Sequence, residues 1–344
     1  MLGGSDALTP AEGRDRRGQW GRALRTRHVN VSCHPQRDAV QTDVIIFPNS
    51  GLAGRAWHEN LGPRLDTPVD LGHGVELRKL PVYLAEQIIV ACKPQGYYPR
   101  PARAPVRNWG QLYTFVRENP PVEPPLQWDA DRRLQECIAI SRLVRPTSIG
   151  FEYAATLRYT PAGELASIFP GPVGGFGAQS WIVPTGYGDL LDEDDIGALR
   201  DLWSRADLSS LPDRLKRALW YHEYAARTNH IAVRWVLLTT GVEALINTKS
   251  DDATRQFIVR FSALARNFGR IAMSHTRAER IYDLRSKIAH GEGLPEFTDP
   301  RRQLYSELEM VLRLTLRASL NDPAAQQLFS SSDEVERQLP LDTC

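Results

Sequence analysis

Arg285 and His290 lie five residues apart in Ile281-Tyr-Asp-Leu-Arg-Ser-Lys-Ile-Ala-His-Gly291, and their side chains do complementary chemistry. An arginine carries a fixed positive charge and a fork of donors that matches a phosphate. An imidazole titrates near neutral pH and can carry a proton to or from a ribose hydroxyl. The pair therefore suits metal-free phosphodiester chemistry. Spacing alone is weak support: 8 histidines and 37 arginines in 344 residues make about one Arg-x4-His match expected by chance. The chain holds three, since Arg217 with His222 and Arg270 with His275 share the spacing. Context separates them. Five residues of helix turn a side chain by about 140° and advance it about 7.5 Å, so two such groups converge more easily where the helix frays. Only His290 is followed at once by helix-ending residues, Gly291, Gly293 and Pro295. His222 falls inside a helical pattern and reads as a packed or surface histidine, and His275 falls in the loop before the next helix.

Helices must position this pair. Ser210, Pro212 and Asp213 start one that runs to about Thr228, and His230 to about Thr248 forms a more apolar one. The latter carries Ile231, Trp235, Leu238, Val242 and Leu245 as a broad buried stripe. Thr254 to Phe268 is a third, with Gly269 to end it, and Thr276 to His290 is the fourth, with Ile281, Leu284 and Ile288 inward. Asp299-Pro300 opens a fifth, and Asn321-Asp322-Pro323 closes it. Five helices with short links predict an all-α bundle over residues 191–322. The tail, 323–344, reads as poorly ordered. Residues 211–290 hold 14 Lys+Arg against 7 Asp+Glu, a local +7 in a chain whose net charge is +1. A basic field of that kind suits a polyanion, and solvated arginine-rich helix faces explain it about as well. Just upstream, Asp189, Asp192, Glu193, Asp194 and Asp195 form an acidic run.

The preceding half reads as an α+β domain over residues 41–190, after a mobile arm at 1–40. Structure begins at Asp43-Val-Ile-Ile-Phe47, and Val75 to Leu84 is extended. Proline-rich breaks lie at 94–105 and 120–125. Asp129 is placed to cap a helix through Val144 whose Leu134, Cys137, Ile138 and Ser141 recur at helical spacing. Phe151, Tyr153, Ala155, Leu157 and Tyr159 then alternate as a half-buried strand. Pro161-Ala-Gly163 turns the chain into a hairpin with Leu165 to Phe169. The glycine cluster Gly171 to Gly177 lacks the order of a phosphate-cradling loop, and Ser180 to Pro184 reads as a last strand.

Composition excludes several classes. No apolar run approaches the roughly 20 residues of a membrane span. The arginines of the first 40 residues come without the apolar stretch of a secretory signal, and Asp6, Glu12 and Asp15 argue against a transit peptide. Cys33, Cys92, Cys137 and Cys344 lack CxxC spacing, which favours a reducing compartment over a disulfide scaffold or a zinc site. The cytoplasm is the expected location, and no metal or cofactor is called for. Asp70, Glu76 and Lys79 match a metal-nuclease pattern only weakly.

The stretch Tyr282-Asp-Leu-Arg-Ser-Lys-Ile-Ala-His-Gly291 resembles the signature of the Apea-like HEPN domain family. Leu237-Leu-Thr-Thr-Gly-Val-Glu-Ala-Leu245 is similar to that family's preceding core helix, with Gln256 to Phe268 between them. The resemblance covers about residues 195–320. It implies an all-α HEPN-type helical bundle that forms a homodimer, so that two Arg-x4-His motifs line one cleft. Many such domains are metal-independent endoribonucleases, often in prokaryotic defence or toxin systems. Arg285 would bind and neutralise the phosphate, and His290 would act as the general acid and base on RNA. Attack by the 2′-hydroxyl would leave a 2′,3′-cyclic phosphate and a 5′-hydroxyl. Active members often place Asn, Asp or His directly after the arginine, whereas this chain has Ser286, which can still hydrogen-bond a phosphate or water. Glu243 matches a glutamate common in the family's core helix, where it either orients the arginine or makes a structural ion pair. Lys287 is expected to pair with Asp283 one turn earlier. Tyr282 reads as a packing residue before a base-stacking one. The N-terminal domain would sense a trigger, select substrate or bind a regulatory protein or ligand. The competing expectation is a catalytically silent HEPN module for dimerisation or scaffolding.

Overall fold

The computed structural model describes residues 42–48, 67–79, 113–118, 127–146, 151–170 and 191–341, except 229, 250 and 293–297, together with a few positions between 81 and 91. The arm, the two proline-rich breaks, the glycine cluster, the strand expected at Ser180 to Pro184, and Asp189 lie outside the described residues.

An antiparallel sheet occupies the N-terminal half. Its strands are β1 (Thr42–Pro48), β2 (Val69–Gly72), β3 (Val75–Lys79), β4 (Tyr113–Glu118), β5 (Phe151–Tyr159) and β6 (Leu165–Pro170). Two hairpins, β2–β3 and β5–β6, flank the central pair in the order β2-β3-β4-β1-β5-β6. In register, Ile45 faces Val116 on one side and Ala155 on the other. The predicted β5–β6 hairpin forms with Leu157 opposite Ile168. Gly163 supplies the positive φ of +82° that its turn requires. The stretch expected to stay extended from Val75 to Leu84 is strand only to Lys79, and Tyr83 and Leu84 are already helical. Asp70 accepts from the Gly72 amide at 2.8 Å and Glu76 pairs with Arg78 at 2.8 Å, so both carboxylates serve the hairpin.

Helix α1 (Gln127–Val144) starts two residues before Asp129, which therefore lies inside the helix instead of capping it. Its predicted face of Leu134, Cys137, Ile138 and Ser141 is fully buried. The helices of residues 191–341 are α2 (Glu193–Arg205), α3 (Asp213–Arg227), α4 (Ile231–Ile246), α5 (Ala253–Leu264), α6 (His275–Ala289), α7 (Asp299–Asn321), α8 (Pro323–Leu328) and α9 (Ser332–Gln338). A single wide π turn, Ala265–Gly269, extends α5. Among the described residues this region is entirely helical between its loops.

Two expectations need correction. Helix α2 was missed, because Asp192 to Asp195 reads as a charge run. In the structure these residues start the helix: Asp192 accepts from the Asp195 amide at 2.9 Å while the Asp195 carboxylate returns to the Asp192 amide at 3.3 Å. Arg145 then bridges both carboxylates. The face that follows, Ile196, Leu199, Leu202 and Trp203, is buried, and the Trp203 indole donates to the Gly72 carbonyl at 3.0 Å. The second correction concerns the tail. Residues 323–341 form α8 and α9, capped by Asp322 and Ser331, and bury Leu328, Phe329, Val335 and Leu339. Their amino-acid makeup is polar, yet four apolar side chains at helical spacing suffice to dock them. One buried apolar cluster runs from Leu71 and Val75 through Leu134 and Trp203 to Phe261, Leu312 and Leu339.

Gly241 of α4 lies tight against α3 and α7: a Cβ there would lie 2.9 Å from Leu312 Cδ2 and 3.3 Å from Tyr221 Cβ, so the leucine would have to shift to admit it. Buried charge is neutralised in two clusters on α3 and α7. Glu223 receives Arg142 from α1 and, at 2.6 Å, Arg227. Glu309 receives Arg313 at 3.1 Å and lies 3.3 Å from His222 Nε2. Burial alone pushes both carboxyls up, but their cationic partners outweigh it and hold them below the ordinary carboxylate range.

Candidate functional site

Helix α6 is fixed at three points. At its start Ser274 accepts from the Arg277 amide, and Arg277 forks onto Glu307 of α7 at 3.1 and 2.6 Å. In the middle, Ala278 and Ile281 are buried, and the Trp235 indole of α4 donates to the Ile281 carbonyl at 3.0 Å. That carbonyl is one turn before Arg285, so α4 grips the turn that presents the arginine. At its end the chain reverses through Gly291 at φ +77°, with Gly291 N–H on the Ile288 carbonyl at 3.1 Å and Glu292 N–H on Lys287 at 3.0 Å. These are the paired bonds of a Schellman ending, and they make His290 the C-cap just past Ala289, where its glycine neighbour places the helix end.

Arg285 is half-buried and faces α4, where its Nη2 lies 3.3 Å from Glu243 Oε2. Its Nε is buried with no hydrogen-bond partner among the described residues. The guanidinium carbon lies 5.7 Å from the Tyr282 ring centroid, and that ring packs 5.0 Å from Phe257 of α5. The pKa of the Tyr282 hydroxyl is pushed up, first by burial and then by the nearby Glu243 charge. Tyr282 is thus neutral at physiological pH. Glu243 takes Arg285 from α6, a contact that ties the rotation of α6 to α4. Glu243 was expected either to orient the arginine or to make a structural ion pair, and the 3.3 Å contact is compatible with both. Trp235 was not anticipated as part of the site: it stood out only as an apolar stripe residue.

His290 is exposed, and among the described residues its imidazole makes no hydrogen bond. Its amide still donates to the Ser286 carbonyl at 3.0 Å, so helical spacing persists to the end and no fraying swings the histidine toward Arg285. The two side chains leave the helix about 140° apart. Arg285, Glu243 and Tyr282 come together, and His290 stands beside them at the helix end. Ser286 is half-buried, whereas Asp283 and Lys287 are exposed. Among the described residues no ion pair joins Asp283 to Lys287, since two solvated side chains gain little by meeting. Of the other two Arg-x4-His pairs, His222 is buried against Glu309 while Arg217 is exposed, and Arg270 occupies a left-handed turn at φ 51° before α6. No group of three His, Cys, Asp or Glu side chains is placed to hold a metal among the described residues. Nor is any described helix long and apolar enough to cross a membrane.

No protein-family model, curated protein or solved structure matches this chain.

Proposed function

We propose that residues 191–341 work as a HEPN-type, metal-independent endoribonuclease or RNA-binding effector in the cytoplasm, of the kind found in prokaryotic defence. The observation that supports it is the guanidinium of Arg285, held by Glu243, on a helix that stops at an exposed His290. One chain keeps the two side chains on different faces, so the reading includes a homodimer in which a second copy completes each site. A neutral His290 takes the 2′-hydroxyl proton as O2′ attacks phosphorus, Arg285 balances the charge on the phosphoryl oxygens, and the P–O5′ bond breaks. The 5′-oxygen takes up a proton, leaving a 2′,3′-cyclic phosphate and a 5′-hydroxyl. Tyr282, Glu243 and Ser286 position the arginine and offer hydrogen bonds; Asp283 and Lys287 border the site. The N-terminal half then senses a trigger, selects the RNA or restrains the nuclease.

The test is incubation of mixed RNAs with purified protein in EDTA. Wild type should cut, and Arg285→Ala and His290→Ala should each lose most of the activity. Equal cleavage by all three would place the activity elsewhere. Glu243→Gln should lower kcat by about tenfold with little change in KM, because it frees the arginine without removing it. The second reading, a catalytically silent dimerisation module, is favoured by Ser286. It predicts no cleavage by any form and an unchanged oligomer in both alanine variants.

A further inference from the structure

Helix α3 carries a surface that the site above does not use. Trp220 and Tyr224, one turn apart, are 51% and 46% exposed. Their rings lie against each other with centroids 4.1 Å apart at 36°, and Tyr221 braces Trp220 edge-on at 5.0 Å. The helix's buried face, Leu215, Ala218, His222 and Ala225, points the other way, so the core does not need these two rings. Leaving them in water forfeits the burial energy two large aromatics normally gain. Arg217 precedes Trp220 by one turn on the same face, is exposed, and makes no ion pair among the described residues. Lys216 beside it is also exposed and gives its ammonium to the Ser209 carbonyl at 2.7 Å, with no carboxylate partner among the described residues. Arg214 and Arg227 on the same helix are engaged, the first with carbonyls at the end of α4 and the second with Glu223.

We infer that Trp220 and Tyr224 form a base-stacking platform, with Arg217 and Lys216 as its phosphate contacts, for single-stranded nucleic acid. A greasy protein partner would be met by apolar neighbours, whereas these rings are flanked by uncompensated cations one turn away. π faces with positive charge at one end match a strand whose bases are unpaired and whose backbone is anionic. Arg217 lies about 4.5 Å along the helix axis from Trp220, a rise that lets one nucleotide stack on the indole while its phosphate reaches the guanidinium. The inference rests on the RNA reading above only for the choice of RNA over DNA; holding a strand needs neither Arg285 nor His290.

The experiment is fluorescence anisotropy with a labelled 15-mer of uridylate, its deoxy counterpart, and a blunt RNA duplex of equal length. It uses the full chain carrying Arg285→Ala and His290→Ala so that nothing is cut. Trp220→Ala with Tyr224→Ala should weaken single-strand binding at least about tenfold, and Trp220→Phe should restore part of it. Lys216→Glu with Arg217→Glu should flatten the dependence of binding on salt. Equal binding of the aromatic variant, a duplex bound as tightly as the single strand, or no binding of any strand would each overturn the platform. So would a change in mass by light scattering in the aromatic variant, which would assign the patch to contact with a second copy. Strand binding that needs Trp220 in a protein that never cuts RNA would leave this inference standing and remove the nuclease.

Discussion

Replacing Glu309 with leucine should destabilise the protein more than the loss of any exposed ion pair. Its Oε1 lies 3.1 Å from Arg313 Nε and 3.3 Å from His222 Nε2, and the three side chains are 11%, 5% and 4% exposed. Charges about 4 Å apart at an effective dielectric near 20 attract by about 4 kcal/mol, and most of that only offsets the desolvation of both groups. Removing the carboxylate leaves Arg313 desolvated and uncompensated, a state that costs about 3–5 kcal/mol. Removing both charges, as Glu309→Leu with Arg313→Met, should bring stability back to within about 2 kcal/mol of wild type, the remainder reflecting the acceptor lost by His222. Urea is the denaturant to use, since it does not screen charge, with circular dichroism following the helices. The double-mutant cycle reads the coupling directly. A cost below about 1 kcal/mol for Glu309→Leu alone, with an unchanged denaturant slope, would refute this account of the cluster.

The same carboxylates set an acid limit. Glu223 and Glu309 are held below the ordinary range by their cations, so their contribution is full above the unfolded pKa of about 4.3 and fades as pH falls through the lower folded values. Urea midpoints should therefore drop below about pH 4.5, and Glu309→Leu should drop less steeply. Phe329→Ala should cost about 3–5 kcal/mol, measured by the same titration, because the ring is fully buried beside Phe268. A disordered tail would lose nothing. Gly241→Ala should lower stability by about 1–2 kcal/mol, as the clash with Leu312 exceeds the gain in helix propensity.

Local signals were readable and distant ones were not. Gly291 ends α6 by a rule that acts within four residues, and Leu134, Cys137 and Ile138 declare a buried face by spacing alone, whereas the Ser274 cap went unread and His275, expected in a loop, is the first residue of α6. Helix α2 failed because four acidic residues in a row suggest a solvated run, although Ile196, Leu199, Leu202 and Trp203 carried the helical period just beyond it. Helices α8 and α9 failed because a polar tail with few apolar side chains resembles a disordered one, and only packing shows that Phe329 has a place to go. The Glu243–Arg285 contact was raised only by the family resemblance, as one of two roles for Glu243. The Arg142–Glu223 pair joins residues 81 positions apart, and no local rule reaches that far.

That last pair limits how freely the two halves can be taken apart. Glu223 sits inside the helical region, yet one of its two counter-charges comes from α1, ahead of β5 and β6. A transplant of residues 191–344 alone would carry a buried carboxylate with, among the described residues, Arg227 as its remaining cation, and would uncover the parts of α2 and α7 that α1 packs against. The helical region is thus not an autonomous cassette. Any event in the N-terminal half that shifts α1 would be felt as unpaired charge on α3, the helix that also displays Trp220 and Tyr224, which makes Arg142 a tether between them.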